Sequence, residues 1–256
     1  MSDSSQPPPI YLSRLLLTPE SRQVRSELAQ PYEMHRTLMH AFDGQIPSGQ
    51  CNPREKAGML FRVDVDERNH RIIVYVQSLI EPDWSFLRGL PDYLFDGSDQ
   101  PGASYKDISI AYARLQNGQT LSFRLRANPT KRIGKSAGDQ PGLKGKRIGL
   151  VREQDQIAWL ERKGRNGGFV LLKAGSIETS DETQCPYSVT VRTEGKQAGR
   201  KREGSHAYKT THLSVVFEGL LQITDASVFG KTLVRGIGSA KAYGFGLLSI
   251  APPGTS

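Results

Sequence analysis

The order in which hydrophobic periodicity changes along this chain limits its fold more than any single motif does. Tyr11 to Thr18 alternates weakly as a strand, and Ser21 to Ala29 follows as a helix. Pro31 starts a second helix running to about Phe42, since proline is well tolerated where its missing N–H would be unpaired anyway. After a Gly- and Pro-rich loop from Gly44 to Pro53, Met59 to Val65 and Arg71 to Leu79 read as a hairpin joined by Asp66 to His70. Asp83 can cap a short helix through Leu90, and Ile108 to Leu115 supplies another strand. Strand, helix, strand, strand, helix, strand is the ferredoxin-like (RRM-like) order.

The remainder repeats the pattern. Leu121 to Ala127 is a strand with alternating arginines, and Glu153 to Lys163 is a helix stopped by Gly164. Phe169 to Lys173 and Ser188 to Arg192 are short strands. In Leu213 to Thr224, Leu213, Val215, Phe217, Leu221 and Ile223 share one face. Thr224 can cap a helix from Asp225 to Arg235, ended by Gly236, and Phe245 to Ile250 closes as the last strand. The expected fold class is therefore α+β, with two tandem ferredoxin-like domains. A tail occupies 1–10, the first domain 11–117 and the second 118–256. At 256 residues the chain suits two units of roughly 100–130 residues. The division falls at Asn117-Gly118, a dipeptide that can equally signal a hairpin.

Composition removes several classes of function. No apolar run approaches the roughly 18–20 residues that cross a bilayer. Met1 to Pro9 is rich in Ser, Gln and Pro without an apolar core, which reads as a disordered tail and not a signal peptide. The two cysteines, Cys51 and Cys185, lack CxxC spacing, so neither a disulfide framework nor a zinc ribbon is expected. A reducing, cytoplasmic setting follows. The formal net charge of +8 points to an acidic partner, and its distribution sharpens the point. From Arg124 to Arg152 nine basic residues, among them Arg124, Arg126, Lys131 and Arg132, stand against Asp139 alone. Arg200, Lys201 and Arg202 form a second cluster. Such segments repel themselves until phosphates neutralise them, which favours nucleic acid over a merely solvated face.

The helix beginning at Pro31 carries PYEMHRTLMHAF. At 100° per residue Met34, Leu38, Ala41 and Phe42 form its buried stripe. Tyr32, His35, Arg36 and Met39 fall on the adjoining flank, so a phenol, an imidazole and a guanidinium share one edge. The electropositive helix start disfavours imidazolium, and a docked phosphate would push the other way. That suits a proton-transfer group, although a lone Tyr-x-x-His is more often an ordinary half-buried histidine. His40 lies some 140° around the helix from His35, a spacing unsuited to a shared metal, and no ligand cluster appears elsewhere. No metal or other cofactor is expected. In RGIGSAKAYGFGLLSI, Gly236, Gly238, Gly244 and Gly246 let backbone approach a partner closely while Lys241 adds charge. The run lacks the GK[ST] of a nucleotide-binding loop, and it serves equally well as a tight turn or as an RNA contact.

Six blocks in order, YLSRLLL, YEMHRTLMHAF, LSFRLRANPTK, IAWLERKG, THLSVVFEG and GIGSAKAYGFGLLSI, resemble the CasE family, the repeat-cleaving endoribonucleases of type I-E CRISPR systems. The resemblance implies a stem-loop RNA substrate cut at the 3′ base of its hairpin without metal. His35 then matches the catalytic histidine, Tyr32 the accompanying tyrosine and Arg36 the arginine beside them. Gly236 to Gly246 matches the family's glycine-rich loop. Retention of the guide RNA and assembly with other Cascade subunits are implied as well. The rival is a non-catalytic RNA-hairpin-binding subunit in which His35 is structural.

Overall fold

The computed structural model describes residues 7–46, 53–66, 70–95, 101–133, 147–173, 187–203 and 206–254, without the side chains of 200–209. Cys51, Cys185, residues 1–6 of the tail and the side chains of Arg200, Lys201 and Arg202 thus lie outside the described set. In the first half the elements are β1 (Tyr11–Leu17), α1 (Arg22–Ala29), α2 (Pro31–Met39), α3 (Pro53–Ala57), β2 (Leu60–Asp66), β3 (Arg71–Ser78), β4 (Ala103–Asp107) and α4 (Ser109–Ala113). Their strands form one antiparallel sheet in the order β2-β3-β1-β4.

The second half holds β5 (Thr120–Ala127), β6 (Thr130–Arg132), β7 (Arg147–Gly149), α5 (Glu153–Asn166), β8 (Phe169–Leu171), β9 (Val189–Glu203), β10 (His206–Ile223), α6 (Ala226–Arg235) and β11 (Leu248–Ala251). Its main sheet runs β11-β5-β10-β8, with β9 paired to β10. Set aside the β6–β7 hairpin and β9, and the order β5-α5-β8-β10-α6-β11 follows the first half, where a 3₁₀ turn, Ser85–Gly89, replaces the expected helix between β3 and β4. The two sheets then have the same strand order. The fold is a tandem of ferredoxin-like units, as the periodicity predicts.

Each unit has its own core. Leu15, Leu17, Val24, Met34, Leu38, Phe61, Val74 and Val76 fill the first, and Leu125, Leu160, Phe169, Phe217, Phe229 and Leu233 are central to the second. The predicted stripe is buried as expected, at 1% exposure or less for Met34 and Leu38 of α2 and for Ala41 and Phe42 of the 3₁₀ turn, His40–Phe42, that continues it. A buried carboxylate locks that helix in place. Glu27 accepts from Thr37 Oγ1 at 2.6 Å, Gln23 Nε2 at 2.9 Å and Tyr93 O–H at 2.6 Å, so burial leaves neither oxygen without a donor. The halves also bond to each other. Gln77 Nε2 donates to the Leu233 carbonyl at 3.0 Å, and Arg62, gripped by Asp64 at 2.9 Å, donates to Ser249 Oγ at 2.7 Å.

Several boundaries differ from the sequence reading. The fourth strand is Ala103–Asp107, and Ile108 to Leu115 is not a strand but contains α4. Asp107 accepts from the Ser109 N–H at 2.7 Å, which turns the chain into that helix. The strand itself, ASYKD, carries too little apolar alternation to show. α5 runs through Gly164 to Asn166, because Gly164 is there for packing: a Cβ would stand 2.7 Å from the Phe169 carbonyl. Asp225, not Thr224, caps α6, accepting from the Val228 N–H at 2.9 Å. The last strand starts at Leu248 rather than Phe245, since Gly246 is still in the left-handed region at φ 94°. Ser188 to Arg192 covers only the start of β9, whose polar remainder pairs with β10 without an apolar pattern. Asn117-Gly118 makes no hairpin; its Asn117 Oδ1 accepts from the Ala226 N–H at 2.7 Å.

Candidate active site

α2 presents its site residues because its core stripe is narrow. With Met34 and Leu38 pinned inward, His35 falls at the edge of the stripe and retains 9% exposure. Its ring stacks on Phe61 of β2, centroids 6.4 Å apart and planes 12° from parallel, and meets the Tyr32 ring at 5.7 Å. Nδ1 is buried with no hydrogen-bond partner among the described residues. The imidazole is held down at about 4, first by burial and then by the Arg54 guanidinium nearby. The direction matches the expectation from the helix start, but the causes lie in tertiary structure.

That depression has a measurable consequence for folding. Between about pH 4 and 6.5 the unfolded chain protonates this imidazole while the folded one does not, so the unfolded state binds more protons. Stability is therefore lost as pH falls through that window, by about 3 kcal/mol. Urea unfolding followed from pH 7 to pH 4 should show the loss in wild type and a shallower fall in His35→Gln.

The second half brings the glycine-rich loop against this edge. Gly236 ends α6 at φ 71° and ψ 164°. Ile237 N–H donates to the Gly246 carbonyl at 2.9 Å, and Gly246 N–H to Arg126 O at 2.8 Å, which closes the loop onto β5. A 3₁₀ turn, Lys241–Tyr243, lies between left-handed Ala240 and Gly244. Gly244 lets Phe61 come close, 3.1 Å from where a Cβ would stand. Tyr243 lies 5.7 Å from the Tyr32 ring and 4.5 Å from the His212 ring, and Thr210 Oγ1 donates to its hydroxyl at 3.4 Å. His212 is in turn held by Asn128 Nδ2 at 3.2 Å, and burial lowers its pKa. Tyr32 and His35 from one unit and Lys241 and Tyr243 from the other thus share one junction.

The other expected residues are placed differently. Arg36 does not join the Tyr32–His35 pair: its side chain is 66% exposed and bonds Glu33 at 2.9 Å. Arg124 is engaged by Glu218 at 3.1 Å and Asp64 at 3.6 Å. Arg126 is only 12% exposed, bonded to Glu194 at 2.7 Å and lying over the Phe245 ring at 5.4 Å. These two arginines are committed to protein carboxylates. Lys131 and Arg132 are exposed on β6. Residues the sequence reading missed are Arg54, Tyr243 and His212. Pro53-Arg54-Glu55-Lys56 held a helix-start signal for α3 that the surrounding loop obscured. Tyr243 was visible inside the glycine run, but nothing local assigned it a partner.

A cavity of about 1010 Å³ lies elsewhere, lined by Trp84, Tyr93 and Tyr105 and by neither Tyr32 nor His35. Among the described residues no three His, Cys, Asp or Glu side chains converge as a metal site, and no helix is long and apolar enough to cross a membrane.

A family model for CRISPR associated proteins matches residues 10–252. The chain belongs to this family. Two relatives place it among the CasE proteins. The CRISPR-associated endoribonuclease Cse3 of Thermus thermophilus is 36% identical over 244 residues, covering 95% of this chain and all of the relative. The Cascade subunit CasE of Escherichia coli is 36% identical over 246 residues, with the same coverage. A solved structure of Thermus thermophilus Cse3, bound to an RNA representing a pre-cleavage complex, superposes with a TM-score of 0.70 at 33% identity, covering 95% of this chain and all of that one. The resemblance seen in the six sequence blocks therefore extends along the whole CasE-type chain.

Proposed function

We propose that this CasE-family protein is a metal-independent endoribonuclease. It cuts CRISPR precursor RNA at the base of the repeat hairpin and retains the guide RNA within Cascade, in the cytoplasm. The observation that carries the reading is the His35 ring. It is neutral, stacked on Phe61 beside Tyr32, and set where the glycine-rich loop meets α2. The names of the relatives support the class of reaction: one is an endoribonuclease whose RNA complex is described as pre-cleavage, another a Cascade subunit. The two units divide at Asn117-Gly118, so the active edge comes from residues 11–117 and the loop that closes on it from residues 118–256.

In this mechanism the ribose 2′-OH attacks the adjacent phosphorus in line and the 5′-oxygen leaves. The products are a 2′,3′-cyclic phosphate, which can open to a 3′-phosphate, and a 5′-OH. The nucleophile belongs to the substrate, so no activated water is needed. A neutral imidazole can accept the 2′-OH proton. With Nδ1 buried, Nε2 is the nitrogen left for that exchange. A pKa near 4 makes a weak base, but an anionic phosphate arriving beside the ring raises it towards the useful range. Tyr32 orients a phosphate oxygen or protonates the departing 5′-oxygen. Lys131, Arg132, the Arg200–Arg202 cluster and Lys241 contribute to holding the stem, whose A-form shape is read mainly through phosphates.

The deep setting of His35 also fits the rival, an RNA-binding subunit with a structural histidine. Incubation with a repeat stem-loop in EDTA separates the two. The enzyme yields one cut with cyclic phosphate and 5′-OH ends, while the rival leaves the RNA whole. A metal-dependent nuclease would cut only after metal is restored.

A further inference from the structure

The sequence singles out Arg36 as the guanidinium beside Tyr32 and His35, and the fold sends Arg36 to Glu33 and solvent. The cation whose charge bears on the His35 ring comes from another element, α3, as Arg54. Pro53 starts this helix, and Gly58, at φ 59°, turns the chain back so that Met59 N–H donates to Arg54 O at 3.0 Å. The turn seats Arg54 at the head of β2. Two residues along that strand from Met59, Phe61 packs on both the His35 ring and Gly244. Arg54 is 21% exposed, and its two hydrogen bonds are long: Nη1 to Met59 O at 3.3 Å and Nη2 to Glu55 at 3.4 Å. Its guanidinium retains donor capacity.

A second cation converges on the same place from the glycine-rich loop. Lys241 is half-buried, and its aliphatic stem packs on Gly246, with Cγ 3.5 Å from where a Cβ would stand. Its ammonium form is disfavoured first by burial and then by Arg54, with Lys163 and Arg235 adding to the effect and only Glu55 opposing it. Lys163 lies over the Trp159 ring at 5.8 Å, and Trp159 in turn lines Gly238 of the loop. Among the described residues no ion pair joins Lys163, Arg235 or Lys241 to a carboxylate. Within this loop Lys241 feels the charges of Arg54, Lys163 and Arg235, and among the described residues Glu55 is the carboxylate that opposes them. Such an arrangement repels itself until an anion completes it.

We propose that Arg54 and Lys241 form the phosphate-binding subsite beside His35, with Arg54 contacting the scissile phosphate in the role that sequence position gave to Arg36. Lys163 and Arg235 extend the subsite along the RNA backbone. The assignment rests on the ribonuclease reading above, and the test keeps the two apart.

The test is single-turnover cleavage of a repeat stem-loop in EDTA, with NMR titration of the His35 ring alongside. Arg54→Ala lowers the rate about 10²-fold, the loss typical when a donor to developing charge is removed. Arg54→Lys recovers part of it, and Arg36→Ala stays within about twofold of wild type, as for an exposed ion pair. In the NMR arm Arg54→Ala moves the His35 midpoint upward and Arg36→Ala leaves it in place. Inorganic phosphate raises that midpoint in wild type but not in Arg54→Ala. Should Arg54→Ala fail to fold, Arg54→Gln, which still offers a donor to Met59 O, gives the same comparison. If wild type cuts and His35→Ala does not, while Arg54→Ala cuts at the wild-type rate or Arg36→Ala takes the loss, the subsite is wrong and the ribonuclease stands. If wild type does not cut at all, the ribonuclease reading falls and the phosphate titration alone decides the subsite.

Discussion

His35→Ala protein should cut a repeat stem-loop roughly 10²–10⁴-fold more slowly than wild type, the range that proton transfer by one side chain supplies. Its affinity for the same RNA should stay within about threefold, because binding is spread over many phosphate contacts remote from the ring. The separation of the two effects is the diagnostic part. A histidine that only packed on Phe61 would lose stability on truncation and weaken binding and cutting together. His35→Asn, which keeps a polar planar group over Phe61, guards against that ambiguity: it should fold as wild type does and still fail to cut. Placing deoxyribose only at the nucleotide before the cut should reproduce the loss with wild-type protein, since the attacking oxygen is then missing. Cleavage by His35→Ala at the wild-type rate would sink the assignment.

The second large effect is expected at Gly236, where α6 hands over to the loop. Its φ of 71° with ψ of 164° is a combination essentially confined to glycine, costing other residues about 1–3 kcal/mol. A Cβ there would also stand 2.8 Å from the Gly246 carbonyl and from a Leu60 methyl group. The carbonyl is backbone and is already bonded to Ile237, so it cannot move without opening the loop. Gly236→Ala should therefore lose about 3 kcal/mol in urea unfolding, strain and overpacking together, and should cut poorly because Lys241 and Tyr243 shift from His35. Gly230→Ala is the control. Gly230 lies within α6 with open space where a Cβ would go, so the change should be neutral or stabilise by up to about 1 kcal/mol. Equal destabilisation by both changes would show that the loop geometry is not what matters.

How much of this was legible beforehand depended on the range of the interaction involved. The stripe of α2 was readable because Met34, Leu38, Ala41 and Phe42 recur at the helical period and nothing in tertiary structure opposes it. The tandem of units was readable because β1, β2, β3, β5 and the apolar end of β10 alternate or run apolar. The polar strands were not: ASYKD in β4 and the basic length of β9 gain their pairing from neighbours, not from their own pattern. Helix ends were misplaced where two residues could serve, as with Thr224 and Asp225, because capping is decided by which side chain reaches the Val228 N–H.

Sequence by itself determined the tandem α+β pattern, the family resemblance, and the presence of Tyr32 and His35 one helical turn apart. All of these are local or cumulative along the chain. Which guanidinium stands beside the imidazole was decided only in three dimensions. Arg36 is adjacent to His35 in the chain yet turns to Glu33, whereas Arg54 reaches the site through the turn at Gly58. Burial of the ring on Phe61 and the charge of Arg54 set its protonation, while Lys241 and Tyr243 arrive from the other unit. Those depend on desolvation and through-space charge, which act across distances that chain spacing does not encode.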